Sequence, residues 1–515
     1  MDEMSQTNSE PIRVRIPPSP TGLMHIGTAR MALFNYLFAR HNNGQIVLRL
    51  EDSDKERSKP EFVSDVLDCL RQLGIAYDEG PYYQSQRQEI YKKYLQILLD
   101  KDLAYWCFCS AEDLEAEKQY KMSQSQAPVY SGKCASMTKD EAQNLIGQGR
   151  KAVIRFRTPK KKITFNDVVR GKIDFDGSLI GDFVIAKDLD NALYNFIVVV
   201  DDYEMKITHI IRGEDHISNT PKQVFIQEAL GFARPIYAHF AMVLGPDKSK
   251  LSKRHGAVGV NEYLKDGYLP EALINFMAFL GWNPGDDKEI YSLAELVNDF
   301  SLEKLQKGGA VFNAKRLDYL NGYYIRLKPV AELARLCVPY LANAQMIVVT
   351  DDPEIFTIKA MGERISFDFL KKIIQNIQPR LRKLSEVVEL SGYFFQERLN
   401  YDKTLLKWKD ESYDDVVKAL GVAEAIISGL PDDEFNKSNL EAKILGQAEE
   451  FSLSIGKPAK DRGYLLWPLR VSLCGQKMSI GPFEMADVFG KAKTLLRIQE
   501  AKAFAGSEPY TQNLL

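Results

Sequence analysis

The stretch from Arg15 to Thr28, Arg-Ile-Pro-Pro-Ser-Pro-Thr-Gly-Leu-Met-His-Ile-Gly-Thr, limits the choice of fold more than any other. A short β-like run, Ile12 to Ile16, leads into it. Pro17, Pro18 and Pro20 stiffen it by fixing φ, while Gly22 and Gly27 permit turns and close approach of a ligand. Helical spacing follows at once, with Ala29, Leu33, Phe34, Leu37 and Phe38. Strand, tight loop and helix in that order put the loop at the carboxyl edge of a strand in an α/β sheet, where ligands bind. Free N–H groups at the helix start then face any anion there. The alternative for the stretch taken alone is an ordinary proline-rich βα turn.

Strand and helix patterns alternate from residue 12 to about 105. Ile46 to Leu50 is a short apolar strand ending at Glu51-Asp52-Ser53-Asp54, and Phe62 to Leu73 is an amphipathic helix closed by Gly74. Such alternation implies a parallel sheet with crossover helices. Near Tyr105 the character changes. Cys107-Phe-Cys109, a polar stretch from Gln119 to Gln126 and strands at Val153–Arg157 and Ile163–Val169 suggest an α+β insertion over 106–190. Tyr194 to Val200 is an apolar run ending in Asp201-Asp202, and Ile207 to Ile211 is a strand ending in Arg212-Gly-Glu-Asp-His216. From about 260 onward the patterns are helical and strand-like alternation is scarce. A chain of 515 residues exceeds one domain, and a net charge of −3 means that any nucleic-acid contact relies on local basic patches. Residues 1–11 are polar and acidic, which predicts a frayed tail and no signal peptide. No apolar run approaches the roughly 20 residues of a membrane span. Six cysteines in this length suit a reducing cytoplasm better than a disulfide framework.

His25-Ile-Gly27-Thr28 and Lys250-Leu-Ser252-Lys253-Arg254 resemble the two signature motifs of class I aminoacyl-tRNA synthetases, in the right order and separated by an inserted domain. More narrowly, the chain resembles the bacterial-type glutamyl-tRNA synthetases. The carrying stretches are residues 15–22, Leu50 to Asp54, Ile211 to Pro221, Gly308 to Asn313 with Leu317 to Asn321, and Trp467 to Val471. The second motif departs from the commonest form at Leu251 and Arg254.

This resemblance implies an α/β Rossmann-like catalytic domain with an inserted α+β acceptor-binding domain, followed by an all-α anticodon-binding region. The partition it suggests is a tail at 1–11, catalytic halves at 12–105 and 191–244, the acceptor-end-binding insertion at 106–190, a signature-loop and stem-contact helical domain at 245–335, and an all-helical anticodon-binding domain at 336–515. The implied reaction activates L-glutamate with ATP and Mg²⁺, then transfers it to the terminal adenosine of tRNA(Glu), releasing AMP and pyrophosphate. The family also implies that activation needs the tRNA, that some members charge tRNA(Gln), and that the protein is a cytoplasmic monomer with no membrane partner.

Carried over residue by residue, His25 and Gly27 face ATP, and Lys253 balances charge on the departing pyrophosphate with help from Lys250 and Ser252. Arg15, Ser19, Glu51, Tyr194 and Arg212 line the glutamate site, with Asp215 and His216 nearby. Glu51 would take the substrate ammonium and Arg15 its side-chain carboxylate, since arginine suits bidentate pairing with carboxylates. Each arginine alone also reads as a structural ion pair. Cys107, Cys109 and Cys134 have spacing that suits zinc. Some family members hold zinc here, often with a His two residues after the third Cys, but that position is Ser136. Tyr130 or a water would complete the set; the alternative is three buried thiols. Cys69, Cys337 and Cys474 read as core residues. Lys160-Lys161-Lys162, Lys371-Lys372 and Arg380-Leu-Arg382-Lys383 are basic patches for tRNA, or else solvated faces. The rivals are a glutaminyl-tRNA synthetase, which ends in β-barrels, a shortened tRNA-modifying paralogue, which lacks the C-terminal helices, and a non-catalytic RNA-binding protein on the same scaffold.

Overall fold

In the computed structural model, which describes residues 11–251 and 259–507, β1 (Arg13–Ile16), α1 (Ile26–His41), β2 (Gln45–Leu50), α2 (Pro60–Gln72), β3 (Glu79–Tyr83) and α3 (Gln88–Asp100) follow one another. The three strands pair in parallel in the order β1-β2-β3. Next come β4 (Ala104–Cys107), α4 (Ala111–Ser123), α5 (Lys139–Gly147), β5 (Val153–Phe156), β6 (Lys162–Asp167), β7 (Gly171–Asp176) and β8 (Val184–Ala186). The main sheet resumes with α6 (Tyr194–Glu204), β9 (His209–Gly213), α7 (Thr220–Leu230) and β10 (Ile236–Phe240). Thr208, just before β9, donates its N–H to the Arg13 carbonyl at 2.9 Å, and β9 pairs in parallel with β10. The resulting order β3-β2-β1-β9-β10 is that of a doubly wound nucleotide-binding sheet.

The segment between the two halves forms an antiparallel sheet, β4-β5-β8. Its β6–β7 hairpin instead joins the main sheet, with β6 parallel to β10 at Tyr237 and Asp167. The hairpin thus covers what would be a bare strand edge, a liability in any open sheet. The polar stretch after Gln119 is the end of α4, whose Ser110 caps its N-terminus.

Period-two alternation decides which side chains meet. Val14 and Ile16 of β1, Ile46, Leu48 and Leu50 of β2, Ile211 of β9, and Ala238 and Phe240 of β10 enter one core, shared with α1 and with the later helix α9 (Pro270–Ala278). Val47, Ile210 and Tyr237 enter the other, shared with α3, α6 and α7. Arg15, Arg49, Arg212 and His239 have the parity of this second face. They are buried there although each carries a polar or charged head.

The run Tyr194–Val200 is helical, as the first part of α6. Phe196 to Val200 are all buried. A helix enclosed on every side carries no amphipathic period, so its pattern cannot be told from that of a buried strand.

The first compact unit, residues 1–320, continues through β11 (Val243–Leu244), α8 (Val260–Lys265), α9 (Pro270–Ala278), α10 (Leu293–Asp299) and β12 (Ala310–Val311) into α11 (Ala314–Leu327). The second, residues 321–515, holds α12 (Val330–Asn343), a small antiparallel meander of β13 (Ile347–Val349), β14 (Ile355–Ile358) and β15 (Arg364–Ser366), then α13 (Phe367–Ile377), α14 (Val387–Ser391), α15 (Tyr413–Gly429), α16 (Lys437–Ser454), α17 (Gly463–Cys474) and α18 (Pro482–Gly506). The region is helical as its periodicity suggests, apart from that meander, whose strands of three or four residues are too short to show alternation. Among the described residues no helix is long and apolar enough to cross a membrane.

Candidate active site

The loop after β1 is pinned from several sides. Glu51 N–H donates to the Pro18 carbonyl at 3.0 Å, Met24 N–H to Asp65 Oδ2 at 2.7 Å, and Val260 N–H to the Met24 carbonyl at 2.8 Å. His25 caps α1: its Nδ1 accepts the Thr28 N–H at 3.3 Å, which leaves the ring proton on Nε2, 3.2 Å from Thr28 Oγ1. Desolvation, followed by the Lys250 ammonium, lowers the His25 pKa against the pull of Asp215. The imidazole is therefore neutral at physiological pH. A Cβ on Gly27 would lie 3.0 Å from two atoms of that ring, so glycine lets the ring fold back over the helix start.

The second signature stretch is anchored nearby. Lys250 pairs with Asp215 at 3.2 Å, Leu251 N–H donates to the Val243 carbonyl at 2.9 Å, and Gly259 forms a β-bridge with His25. Ser252 and Lys253 lie outside the described residues.

On the α6 face of the sheet the structure brings together Arg15, Glu51, Tyr194 and Arg212. Ser19 is exposed on the loop. Arg15 Nε donates to Asp202 Oδ1 at 3.3 Å, and Arg49 donates to the same oxygen at 2.7 Å and to Glu51 at 3.2 Å. Burial raises the Glu51 pKa, with Arg49 and Arg15 opposing it. Asp201 takes Arg87 at 2.8 Å, Tyr91 at 2.9 Å and Gln84 at 3.0 Å. Arg212 differs. Its donors go to His239 Nε2 at 3.0 Å, and to Thr220 Oγ1 and Gln223 Oε1 at 2.9 Å each. Among the described residues no carboxylate lies within ion-pair reach of this 4 % exposed guanidinium. Tyr194 Oη lies 2.9 Å from His216 Nδ1. Burial, with Glu51 next, pushes the Tyr194 phenol up to about 12, while burial and Arg212 push the His216 imidazole down to about 4.

Arg49, Asp201, Asp202, Asp167 and His239 are partners that motif reading missed. A signal existed for one of them: Arg49 interrupts the otherwise apolar run Ile46–Leu50, and a buried charge requires a partner.

The three cysteines also converge, with all sulfurs within 4.8 Å of one another and Cys109 Sγ 3.6 Å from Cys134 Sγ. Tyr130 Oη is 3.4 Å from the sulfurs of Cys107 and Cys109. Zinc–thiolate bonds of about 2.3 Å give tetrahedral sulfur–sulfur edges of about 3.8 Å, so the donor set fits that ion. Cys69, Cys337 and Cys474 are buried apart from this cluster. Of the basic patches, Lys161 pairs with Glu228 at 2.9 Å, Lys162 with Asp174 at 3.0 Å, Lys371 with Asp368 at 2.5 Å, and Arg382 with Glu386 at 3.0 Å. Arg380 donates to the Ser479 carbonyl. Lys160 has no ion pair among the described residues.

Residues 11–319 match the family model for class I tRNA synthetases (E and Q), catalytic domain, and residues 332–502 match that of an anticodon-binding domain. A glutamate–tRNA ligase of Thermoanaerobacter pseudethanolicus is 40 % identical over 496 residues, covering 96 % of this chain and 98 % of the relative. One from Desulforamulus reducens is 39 % identical over 500 residues, covering 95 % and 99 %. The crystal structure of a glutamate tRNA ligase from Elizabethkingia meningosepticum, in complex with its amino acid, superposes with a TM-score of 0.82 at 29 % identity, covering 96 % of this chain and 99 % of that one.

Proposed function

Because the chain belongs to the class I tRNA synthetases of the glutamate and glutamine group, we propose that it is a glutamate–tRNA ligase. It joins the glutamate α-carboxylate to the α-phosphate of ATP, releases pyrophosphate, and passes the glutamyl group to the terminal adenosine of tRNA(Glu). Its helical C-terminal unit sets it apart from the glutaminyl rival with β-barrels and from a shortened paralogue. The observation that carries the amino-acid assignment is Arg212. A guanidinium with only neutral partners is costly to bury, and a substrate carboxylate offsets that cost through charge-assisted hydrogen bonds.

In this reading Arg15 and Arg212 hold the side-chain carboxylate, Glu51 takes the ammonium, and Tyr194 and Ser19 complete the site. Neutral His25 donates a hydrogen bond to a phosphate oxygen without adding a charge that a second cation would repel. Gly27 leaves room for the nucleotide, and Lys253, with Lys250 and Ser252, stabilises charge on the leaving pyrophosphate. Mg²⁺ arrives with ATP, held mainly by phosphates and water. Cys107, Cys109, Cys134 and Tyr130 would hold a structural Zn²⁺. The protein works as a cytoplasmic monomer, and basic side chains of the insertion and the C-terminal unit meet tRNA phosphates.

The test is ATP–pyrophosphate exchange, with and without tRNA(Glu). Exchange with glutamate in the presence of tRNA is expected. No exchange under that condition would refute the enzyme assignment, and exchange with glutamine alone would favour the glutaminyl rival. Charging of purified tRNA(Gln) in the same assay decides whether that tRNA is also a substrate.

A further inference from the structure

Arg212 and His239 face each other in register on β9 and β10. The Arg212 Nε–H donates to His239 Nε2 at 3.0 Å. A guanidinium has no acceptor, so Nε2 must present its lone pair and the ring proton must sit on Nδ1. There it donates to Asp167 Oδ2 at 2.6 Å. Asp167 also accepts the N–H of His239 at 3.1 Å, of Arg170 at 2.8 Å and of Val169 at 3.0 Å. Burial alone would raise the Asp167 carboxyl; the His239 ring and the Arg170 N–H hold it below the ordinary range. Asp167, His239 and Arg212 are all buried. Asp167 ends β6, the strand that the 162–176 hairpin adds to the sheet edge.

We propose that Asp167 and His239 are positioning residues for Arg212: the carboxylate fixes the tautomer and plane of the imidazole, and the imidazole lone pair fixes the plane of the guanidinium that selects an acidic substrate side chain. Thr220 and Gln223, both on α7, hold the opposite edge of the fork. The guanidinium is thereby gripped by neutral acceptors alone. It is oriented without being neutralised, and its remaining nitrogen keeps its charge for the ligand. Asp167 belongs to the inserted hairpin, so that segment takes part in amino-acid selection as well as covering the sheet edge. This inference rests on Arg212 binding the substrate carboxylate.

The experiment is aminoacylation of tRNA(Glu) by the full chain carrying His239→Leu, His239→Gln, Asp167→Asn, Arg212→Ala, or Arg212→Ala with His239→Leu. Arg212→Ala reports on the underlying assignment. If it leaves KM for glutamate unchanged, Arg212 does not bind substrate and the site reading itself fails. If it raises that KM, the other variants judge the proposal. His239→Leu is expected to raise KM for glutamate at least tenfold while KM for ATP moves less than threefold. His239→Gln, whose amide oxygen still accepts from Arg212, should recover most of the loss. The double variant should be no worse than Arg212→Ala alone. Should His239→Leu not fold, Asp167→Asn, similar in size to the native residue, is expected to give the same selective rise in KM for glutamate. A selective effect on Arg212→Ala but none on the His239 and Asp167 variants, or equal losses for glutamate and ATP without rescue by His239→Gln, would overturn the positioning role.

Discussion

Arg49 and Asp202 form an ion pair of 2.7 Å in which neither group meets more than a trace of solvent, and the same carboxylate oxygen also takes Arg15. Removing one partner of a buried pair leaves a charge with nothing to compensate it. Here Arg15 would lose its ion pair, while Arg49 would keep only Glu51 at 3.2 Å and Asp201 at 3.9 Å.

Asp202→Ala is therefore expected to destabilise the N-terminal unit by about 3–5 kcal/mol, measured as the shift in its denaturant midpoint. It should also raise KM for glutamate, since Arg15 loses its anchor. A variant that unfolds at the wild-type denaturant concentration would contradict the reading of this pair as essential to the fold.

Lys253→Ala should lower kcat by about 10²–10³-fold, the usual loss when one donor to a developing anion is removed. Affinity for tRNA(Glu), measured by filter binding, should change less than threefold. Equal losses in both quantities would place Lys253 on the tRNA and away from the phosphates.

For the cysteine cluster, elemental analysis of the purified protein should find one zinc per chain. Cys109→Ser should lose it and should lower the thermal stability of the segment around β4, because metal binding and folding are linked in such sites. Wild-type protein grown with zinc and found free of it would rule the ion out.

Glu411 gives a pH prediction in the C-terminal unit. One carboxylate oxygen accepts the Trp408 backbone N–H at 2.9 Å, while the other is buried with no hydrogen-bond partner among the described residues. Burial pushes this carboxyl up to about 8. The folded form thus holds a proton that an unfolded chain, with an ordinary pKa near 4.3, has released. Between those two values the native state binds more protons, so stability falls as pH rises. Glu411→Gln removes this dependence. Its melting point should exceed the wild-type value, by more at pH 8 than at pH 5. An unchanged gap across that range would mean the carboxyl titrates normally.

Much of the site was legible because its signals are local. The proline-stiffened loop, the helix that follows it, and Arg15 and Arg212 near strand ends all follow from neighbouring residues. What escaped was the set of partners. Asp202 lies 187 positions from Arg15, and His239 lies 72 from Asp167. No pattern along the chain links residues so far apart. His239 in Ile-Tyr-Ala-His-Phe looks like any polar residue in a strand, and Asp201-Asp202 looks like a strand end until α6 is known to be helical. The basic patches were legible as charge, but the carboxylates that already pair with Lys161, Lys162 and Lys371 come from the fold or from the helix turn.

The parity that sends Arg15, Arg49, Arg212 and His239 to one face has a genetic consequence. Adding or deleting one residue within β1 or β9 would turn every later side chain of that strand over. Val14 or Ile211 would then line the pocket, and a guanidinium would enter the aliphatic core beside α1. Substitutions in these strands change one contact each, whereas a single-codon insertion or deletion exchanges the pocket for the core. A library of such insertions and deletions should therefore survive selection in exposed loops that carry no site residue and be lost from the strands themselves.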